Sequence, residues 1–294
     1  AWLKCHEPAA FLCALLNSQP MGFYSPSQLV QDAKRHGVTV LPADVAVSGW
    51  DSSLESNETG PRVRLGLSLV RGMREESARR IETCRAVRNF DSVTDLARRA
   101  ELDRHDMQVL AASDALRTLS GNRRQALWEA SAAVPDKDLL KVADLAEESP
   151  ALVPPTEGET ILGDYRSMGL TLQRHPLALL RRQLASRRFE TAATLASYAD
   201  RQLARGAGIV TVRQRPGTAK GVLFLTIEDE PGNVNVIVWP SVLEKFRKQI
   251  LNASLLGVYG QWQADGDVRH LVAQYAVDLS PMLGAMDTRS RNFC

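Results

Sequence analysis

The sequence predicts an α+β protein of more than one domain, in which an all-α region of short helices precedes a small five-stranded barrel. Three observations predict it. The 294 residues exceed the roughly 150 usual for one domain. Apolar residues recur at helical spacing over most of the chain before Gly208, and from there they alternate with a period of two. Pro and Gly breaks cut both parts into short elements.

Taken in order, Trp2, Leu3, Phe11, Leu12, Leu15 and Leu16 mark an opening helix to about Asn17, broken by Gln19-Pro20-Met21-Gly22. It has no N-cap residue before it, so the chain is expected to begin inside an element and to be the C-terminal piece of a longer protein. A second helix follows, with Ser25 as N-cap, Pro26 at the first position and Gly37 after its end. Val38 to Leu41 reads as a short strand, and 44–60 as strand and loop. Residues 61–135 read as helical in short units. Residues 136–165 are rich in Pro and acid, including Glu147-Glu148 and Pro154-Pro155, which is linker composition. Helices are expected at about 157–168, 176–186 and 191–196.

From Gly208 the pattern gives strands around Ile209–Val212, 222–227 and 234–239. A helix starts at Pro240, and strands at 255–262 and 268–277 follow, the last two joined by Asp265-Gly266-Asp267. Three strands, a helix and two strands is the order of an OB-fold barrel. The expected organisation is 1–45 helical, 46–60 linker, 61–135 a helical domain, 136–205 linker and helices, 206–280 the barrel, and 281–294 a tail.

Composition narrows the function classes. Hydrophobic residues make up 44% and charged residues 24%, as in globular proteins and unlike disordered or collagen-like chains. No apolar run reaches the roughly 18 residues that span a bilayer. Cys5, Cys13, Cys84 and Cys294 are scattered, and His6, His36, His105, His175 and His270 do not complete a zinc set with them. Sparse cysteine and no visible signal peptide fit the cytoplasm.

Charge is uneven. Basic and acidic residues number 36 and 34 overall, but 61–135 holds 14 basic residues, all Arg, against 10 acidic ones. Arg presents a planar fork of donors suited to phosphate, although an Arg bias also arises from genome composition.

Two constellations could bind nucleic acid. Val70-Arg71-Gly72-Met73 followed by an amphipathic helix is the turn of a helix-hairpin-helix, whose backbone and helix N-terminus meet a phosphate without reading sequence. Arg74 and Arg79 stand beside it. A second copy is expected around Ser113-Asp114-Ala115-Leu116, with Arg117, Arg123 and Arg124 after it. There Asp114 stands where glycine fits best and opposes phosphate. The alternative is a pair of hairpins that only stabilise a helical spacer. On the barrel, Arg213, Arg215 and Lys220 flank the first loop, Phe224, Trp239, Tyr259 and Trp262 lie on strands, and Arg247 follows on the helix. OB-folds bind single strands by such aromatic and basic groups, and the alternative is a structural or protein-docking barrel. Glu75-Glu76, Glu147-Glu148 and Glu228-Asp229-Glu230 are the close acidic clusters, and none has the look of a two-metal site. No catalytic motif and no cofactor are expected in these residues.

Several stretches together resemble a known family. They are 1–11 (Ala-Trp-Leu-Lys-Cys-His-Glu-Pro-Ala-Ala-Phe), 15–24 (Leu-Leu-Asn-Ser-Gln-Pro-Met-Gly-Phe-Tyr), Arg64-Leu65-Gly66-Leu67, Gly169-Leu170-Thr171-Leu172 with His175-Pro176-Leu177, and 228–234. They resemble the C-terminal region of bacterial C-family DNA polymerases, the polymerase III alpha subunit and its relatives. Residues 17–24 are most similar to the error-prone, ImuC-type branch of the mutasome.

The resemblance implies that 1–45 ends the fingers, that 61–135 is a tandem helix-hairpin-helix domain gripping primer-template duplex, and that 206–280 is an OB domain near single-stranded template. It places the catalytic aspartates and their Mg2+ in a palm domain upstream, so this part of the chain is expected to be inactive alone. It implies error-prone, damage-tolerant synthesis, a mutasome partner related to Y-family polymerases, indirect linkage to the sliding clamp, and no membrane. A module that docks such a partner without binding DNA tightly is the alternative.

Overall fold

The computed structural model describes residues 2–21, 24–58, 60–133, 150–266 and 268–284, with the backbone of 291–293. Gly22, Phe23, Glu147, Glu148 and Asp267, with the rest of 134–149 and of 285–290, lie outside the described residues. Two compact units divide the chain, 1–173 and 174–294.

In the first unit, α1 (Trp2–His6) and α2 (Pro8–Asn17) stand where one opening helix was expected. Pro8 has no N–H to continue a helix, and Glu7 leaves helical geometry at φ −133° and ψ 58°. α3 (Pro26–Arg35) is set by its cap: Ser25 Oγ accepts from the Gln28 N–H while Gln28 Oε1 accepts from the Ser25 N–H. β1 (Val40–Leu41), β2 (Ser53–Asn57) and β3 (Gly60–Arg64) form a sheet in the order β1-β3-β2. β3 corrects the expectation that 61–135 is wholly helical. Its inward side holds a single buried residue, Val63, between two arginines that pair with Glu55 across the sheet, Arg64 at 2.7 Å and Arg62 at 3.5 Å. Pro61 and those arginines hide the strand from a pattern search.

The helices that follow are α4 (Glu75–Val87), α5 (Val93–Arg99), α6 (Arg104–Ala112), α7 (Arg117–Ser120), α8 (Arg123–Ala132) and α9 (Glu157–Ser167). Ser92, Asp103, Asn122 and Thr156 each cap the helix they precede by accepting from its first-turn N–H groups. One core joins the opening helices, the sheet and the later helices, with Leu12, Leu16, Val30, Val63, Ile81, Leu110 and Leu170 all within it. The stretches 1–45 and 61–135 therefore share a single interior, and 150–173 packs with them.

The second unit begins with α10 (Pro176–Ser186) and α11 (Ala192–Ala196), both within the expected ranges. β4 (Leu203–Gln214), β5 (Leu223–Glu228), β6 (Asn233–Val238), α12 (Pro240–Lys245), α13 (Arg247–Asn252), β7 (Leu255–Asp265) and β8 (Val268–Asp278) follow. The strands run β5-β6-β8-β7-β4, and a β4–β5 pairing closes the ring. The β6–β8 pair is parallel and the other four are antiparallel, so this is a closed five-stranded OB-type barrel. β9 (Arg291–Phe293) adds alongside β4.

β4 starts at Leu203, ahead of the expected Gly208, because Ala204, Gly206 and Ala207 carry too little side chain to show alternation. Leu223, Leu225 and Ile227 enter the core, which leaves Phe224 and Thr226 on the outer face. Trp239 lies beyond β6 and is the N-cap residue of α12.

The acidic turn after β5 is a fastening rather than a solvated loop. Asp229 is 3% exposed. It accepts from the Ala192 N–H at 2.7 Å and the Gly232 N–H at 3.1 Å, so it ties α11 to the β5–β6 turn. Arg181 of α10 donates to Glu230 at 2.9 Å and to Asp229 at 3.4 Å. Burial pushes the Asp229 carboxyl up to about 6, against those backbone hydrogen bonds. Burial acts the same way on Glu230, but the Arg181 hydrogen bonds and charge outweigh it and hold that carboxyl below its usual range.

A carboxyl raised from 3.8 to about 6 binds its proton more tightly in the folded state. Its stabilisation is complete at low pH and is lost as pH rises through about 6. Urea denaturation across pH 4 to 7 should show Asp229→Asn gaining on the wild type as pH rises to about 6 and holding level above it. A difference that does not vary with pH contradicts this.

Candidate nucleic-acid interface

The first hairpin is built around Gly72. Its first arm is a single 3-10 turn, Leu67–Leu69, in place of the α-helix expected there. Val70 and Met73 are core residues, so they shape the turn from inside. Gly72 has φ 84°, and a Cβ there would lie 3.3 Å from Val109 Cγ1 and 3.4 Å from His105 Nε2. Glycine thus serves both the left-handed backbone and the close seating of the turn on α6. His105 Nε2 donates to the Gly72 carbonyl at 2.9 Å. No side chain caps α4, so its first-turn N–H groups and positive dipole end are left to solvent or an anion. Glu75 and Glu76 in the same turn oppose an anion.

Most of the arginines named from the sequence are tied to partners within the unit, although Arg71, Arg74, Arg79 and Arg124 stay exposed. Arg74 Nε reaches Asp106 Oδ1 at 3.0 Å, and its terminal nitrogen reaches Asp106 Oδ2 at 2.6 Å and Asp103 Oδ2 at 2.5 Å. Arg71 donates to the Arg166 carbonyl at 3.2 Å through its guanidinium and to the Ser167 carbonyl at 2.8 Å through its backbone N–H. Arg79 pairs with Glu75 and Glu82, both at 3.2 Å. Arg124 pairs with Glu159 at 2.6 Å. Arg123 is buried against Asp164 and the Thr160 carbonyl, where Gly163 leaves room for its guanidinium. Arg123 is therefore a packing residue rather than the surface cation the sequence led us to expect.

The second hairpin already holds an anion of its own. Asp44, a buried residue 74 positions away from its partner, accepts from Thr118 Oγ1 at 2.5 Å and from the Thr118 N–H at 3.3 Å, at the start of α7. The turn's own amides bond back into α6: Asp114 N–H to the Ala111 carbonyl and Ala115 N–H to the Leu110 carbonyl. Asp114 has φ 64°, in the left-handed region. Burial raises its carboxyl pKa, and Arg117 sits 3.6 Å away. Sequence spacing finds Asp114 but not Asp44, since nothing local marks a carboxylate whose partner is so distant.

On the barrel, four of the named residues lie around one corner, whereas Trp262 is buried in the core and offers no surface. Phe224 pairs with Ile237 across β5–β6, and Trp239 follows two residues on, 52% exposed, at the diagonal spacing that large side chains bridge. Arg215 and Lys220 are exposed on the β4–β5 loop. A Cβ on Gly221 would lie 3.6 Å from both Arg215 and Pro240, so this loop leans on the Trp239–Pro240 corner. Arg213 is not on that surface. It is 7% exposed and donates to the carbonyls of Ile250 at 3.0 Å and Ala253 at 2.5 Å, closing the C-terminal end of α13. Arg247 opens α13, next to Phe246. Among the described residues, no group of three or more His, Cys, Asp or Glu is placed to hold a metal ion.

The fold and this interface define a protein built from a helix-hairpin-helix region and an OB-fold barrel, both nucleic-acid-binding designs. The helix-hairpin-helix motif family matches residues 37–126, and the OB-fold nucleic acid binding domain family matches 207–279. Over 100% of its length the chain is similar to error-prone DNA polymerases: 59% identical to that of Bordetella parapertussis, 58% to that of Burkholderia pseudomallei and 57% to that of Ralstonia pickettii. It spans 29%, 28% and 28% of those proteins. The chain is thus homologous, end to end, to a part of the error-prone DNA polymerases.

Asp114→Gly should stabilise the first unit by about 1 kcal/mol. It removes the roughly 1–2 kcal/mol cost of a left-handed non-glycine residue and loses part of that gain to the freer unfolded chain. Urea denaturation measures it, and a loss of stability contradicts the strain assigned to this turn.

Proposed function

We propose that this chain is the C-terminal DNA-positioning region of an error-prone polymerase. The hairpin unit holds the backbone of primer-template duplex through the turn at Gly72 and the uncapped start of α4. The barrel corner formed by Phe224, Trp239, Arg215 and Lys220 holds single-stranded template. What carries the reading is that corner: two aromatic faces beside two exposed cations on an OB-type barrel. An aromatic face accepts any base and cations accept any phosphate, which suits template of arbitrary sequence. Homology to error-prone polymerases over the whole chain supports it.

Nucleotidyl transfer, with its carboxylates and Mg2+, belongs on this reading to another part of the parent protein. The chain alone positions DNA and does not extend it. The parent acts in mutagenic, translesion synthesis after DNA damage, in the cytoplasm, with a mutasome partner related to Y-family polymerases and with the sliding clamp reached through that partner. No helix among the described residues is long and apolar enough to cross a membrane. A docking role beside DNA binding is favoured by Leu127 and Trp128, adjacent and largely exposed on α8, which suit a protein partner.

Fluorescence anisotropy with the whole chain tests the reading. A duplex with a single-stranded template overhang should bind more tightly than a blunt duplex. Phe224→Ala with Trp239→Ala should reduce overhang binding about tenfold and leave blunt duplex binding unchanged. Equal affinity for both DNAs, or an unchanged overhang preference in the variant, overturns it.

A further inference from the structure

The barrel carries a second row of aromatic side chains on a different wall. Tyr259 on β7 and Tyr275 on β8 are register partners, edge-on with ring centroids 5.4 Å apart. Phe246, between α12 and α13, meets Tyr275 edge-on at 4.8 Å, and Phe189 meets Tyr259 at 5.2 Å. A cation stands at each end. Arg205, the register partner of Tyr259 on β4, lies 5.1 Å over that ring, and Lys245 lies 5.3 Å over the ring of Phe246. The row therefore crosses β4, β7 and β8 to the helix corner, whereas Phe224 and Trp239 belong to β5 and the end of β6.

Packing accounts for Phe189 and Phe246, which are buried. It does not cover Tyr275, which stays 49% exposed between two rings, Tyr259 and Phe246, that each lie under a cation. Arg205, Arg247 and Lys248 are exposed on the same elements. The acids there are Glu190, Glu244 and Asp278, and Asp278 is turned to Ser280, from which it accepts two hydrogen bonds at 2.9 and 2.5 Å.

We propose that this wall is a second lane for single-stranded DNA. A base stacks on the open face of Tyr275, and Arg205, Lys245, Arg247 and Lys248 meet the flanking phosphates. Aromatic rings already lying under cations suit a ligand that alternates flat π-faces with anions. The inference rests on the DNA reading above but not on the Phe224–Trp239 corner, so a strand leaving that corner has a second place to lie.

The test is photo-crosslinking of the whole chain to oligo(dT) carrying 5-iododeoxyuridine, with the adduct mapped by peptide mass spectrometry, beside anisotropy with plain oligo(dT). An adduct at Tyr275 is expected, and it should persist when Phe224 and Trp239 are both alanine. Tyr275→Ala should weaken oligo(dT) binding about five- to tenfold, while Tyr275→Phe, which keeps the ring, binds as the wild type does. A thermal melt matching the wild type shows that the alanine variant is folded, as expected for a side chain this exposed. Adducts at Phe224 or Trp239 alone, with Tyr275→Ala binding normally, overturn the second lane and leave the proposed function standing. No adduct and no oligo(dT) binding at all overturn both. Tyr275→Ala breaking a protein complex while oligo(dT) binding is unchanged would also overturn the lane, by assigning the wall to a protein.

Discussion

The hairpin unit depends on one buried carboxylate. Asp106 is fully enclosed, and a charge so placed is costly unless donors surround it. Arg74 supplies two of them, the Ser77 hydroxyl a third at 2.8 Å, and Arg80 stands 4.0 Å away. Asp106 is also the third residue of α6, where it closes a capping box with Asp103. The residue that follows the hairpin turn is thereby fixed to the start of another helix, and His105 of that helix holds the turn's glycine carbonyl. The shape of the loop that would face a phosphate is set by this junction and not by the loop's own sequence.

That junction changes the meaning of the all-arginine stretch. A net excess of basic residues in 61–135 reads as an electrostatic surface for DNA. In the folded unit, Arg64, Arg74, Arg79, Arg88, Arg99, Arg123 and Arg124 each face a carboxylate within 3.5 Å. Arg85 donates to the carbonyls of Val45 and Ser48 at 2.6 and 2.9 Å. The planar fork of arginine suits internal bridging as well as it suits phosphate, and here it draws separate helices together. On the proposed function, recognition of duplex DNA then falls to backbone amides at the turn and to a few cations at the surface. Such contacts are insensitive to base sequence, as a polymerase requires.

Most of the fold was legible where local chemistry decides it. Ser25-Pro26 and the turn at Gly37 fixed α3. The change of period near Gly208 and the strand-helix-strand order identified the barrel. The helices at 157–167, 176–186 and 192–196 lie where they were expected, and local starts at Thr156, His175-Pro176 and Thr191 account for them. Legibility failed where distant residues decide. β3 was hidden because its partners, not its alternation, make it a strand. Arg213 looked like a loop cation until α13 supplied carbonyls for it to close, and Asp44 gave no sign of filling the start of α7. Phe224 illustrates the division well. Its sequence shows that one of two faces of β5 is core, and only the closed barrel shows that Leu223 and Leu225 take that face and leave the ring outside.

Arginine in the hairpin unit chiefly holds the protein together, and on the proposed function it holds DNA only secondarily. The salt dependence of blunt-duplex binding by the whole chain tests it most directly, because the slope of log Kobs against log salt counts the phosphates neutralised, at about −0.9 per phosphate on duplex DNA. With blunt duplex held by the hairpin unit and most of that unit's arginines paired, the slope should be shallow, about −3 or smaller in magnitude. A steep slope near −9, which requires about ten arginine- or lysine-phosphate contacts, would contradict that internal role.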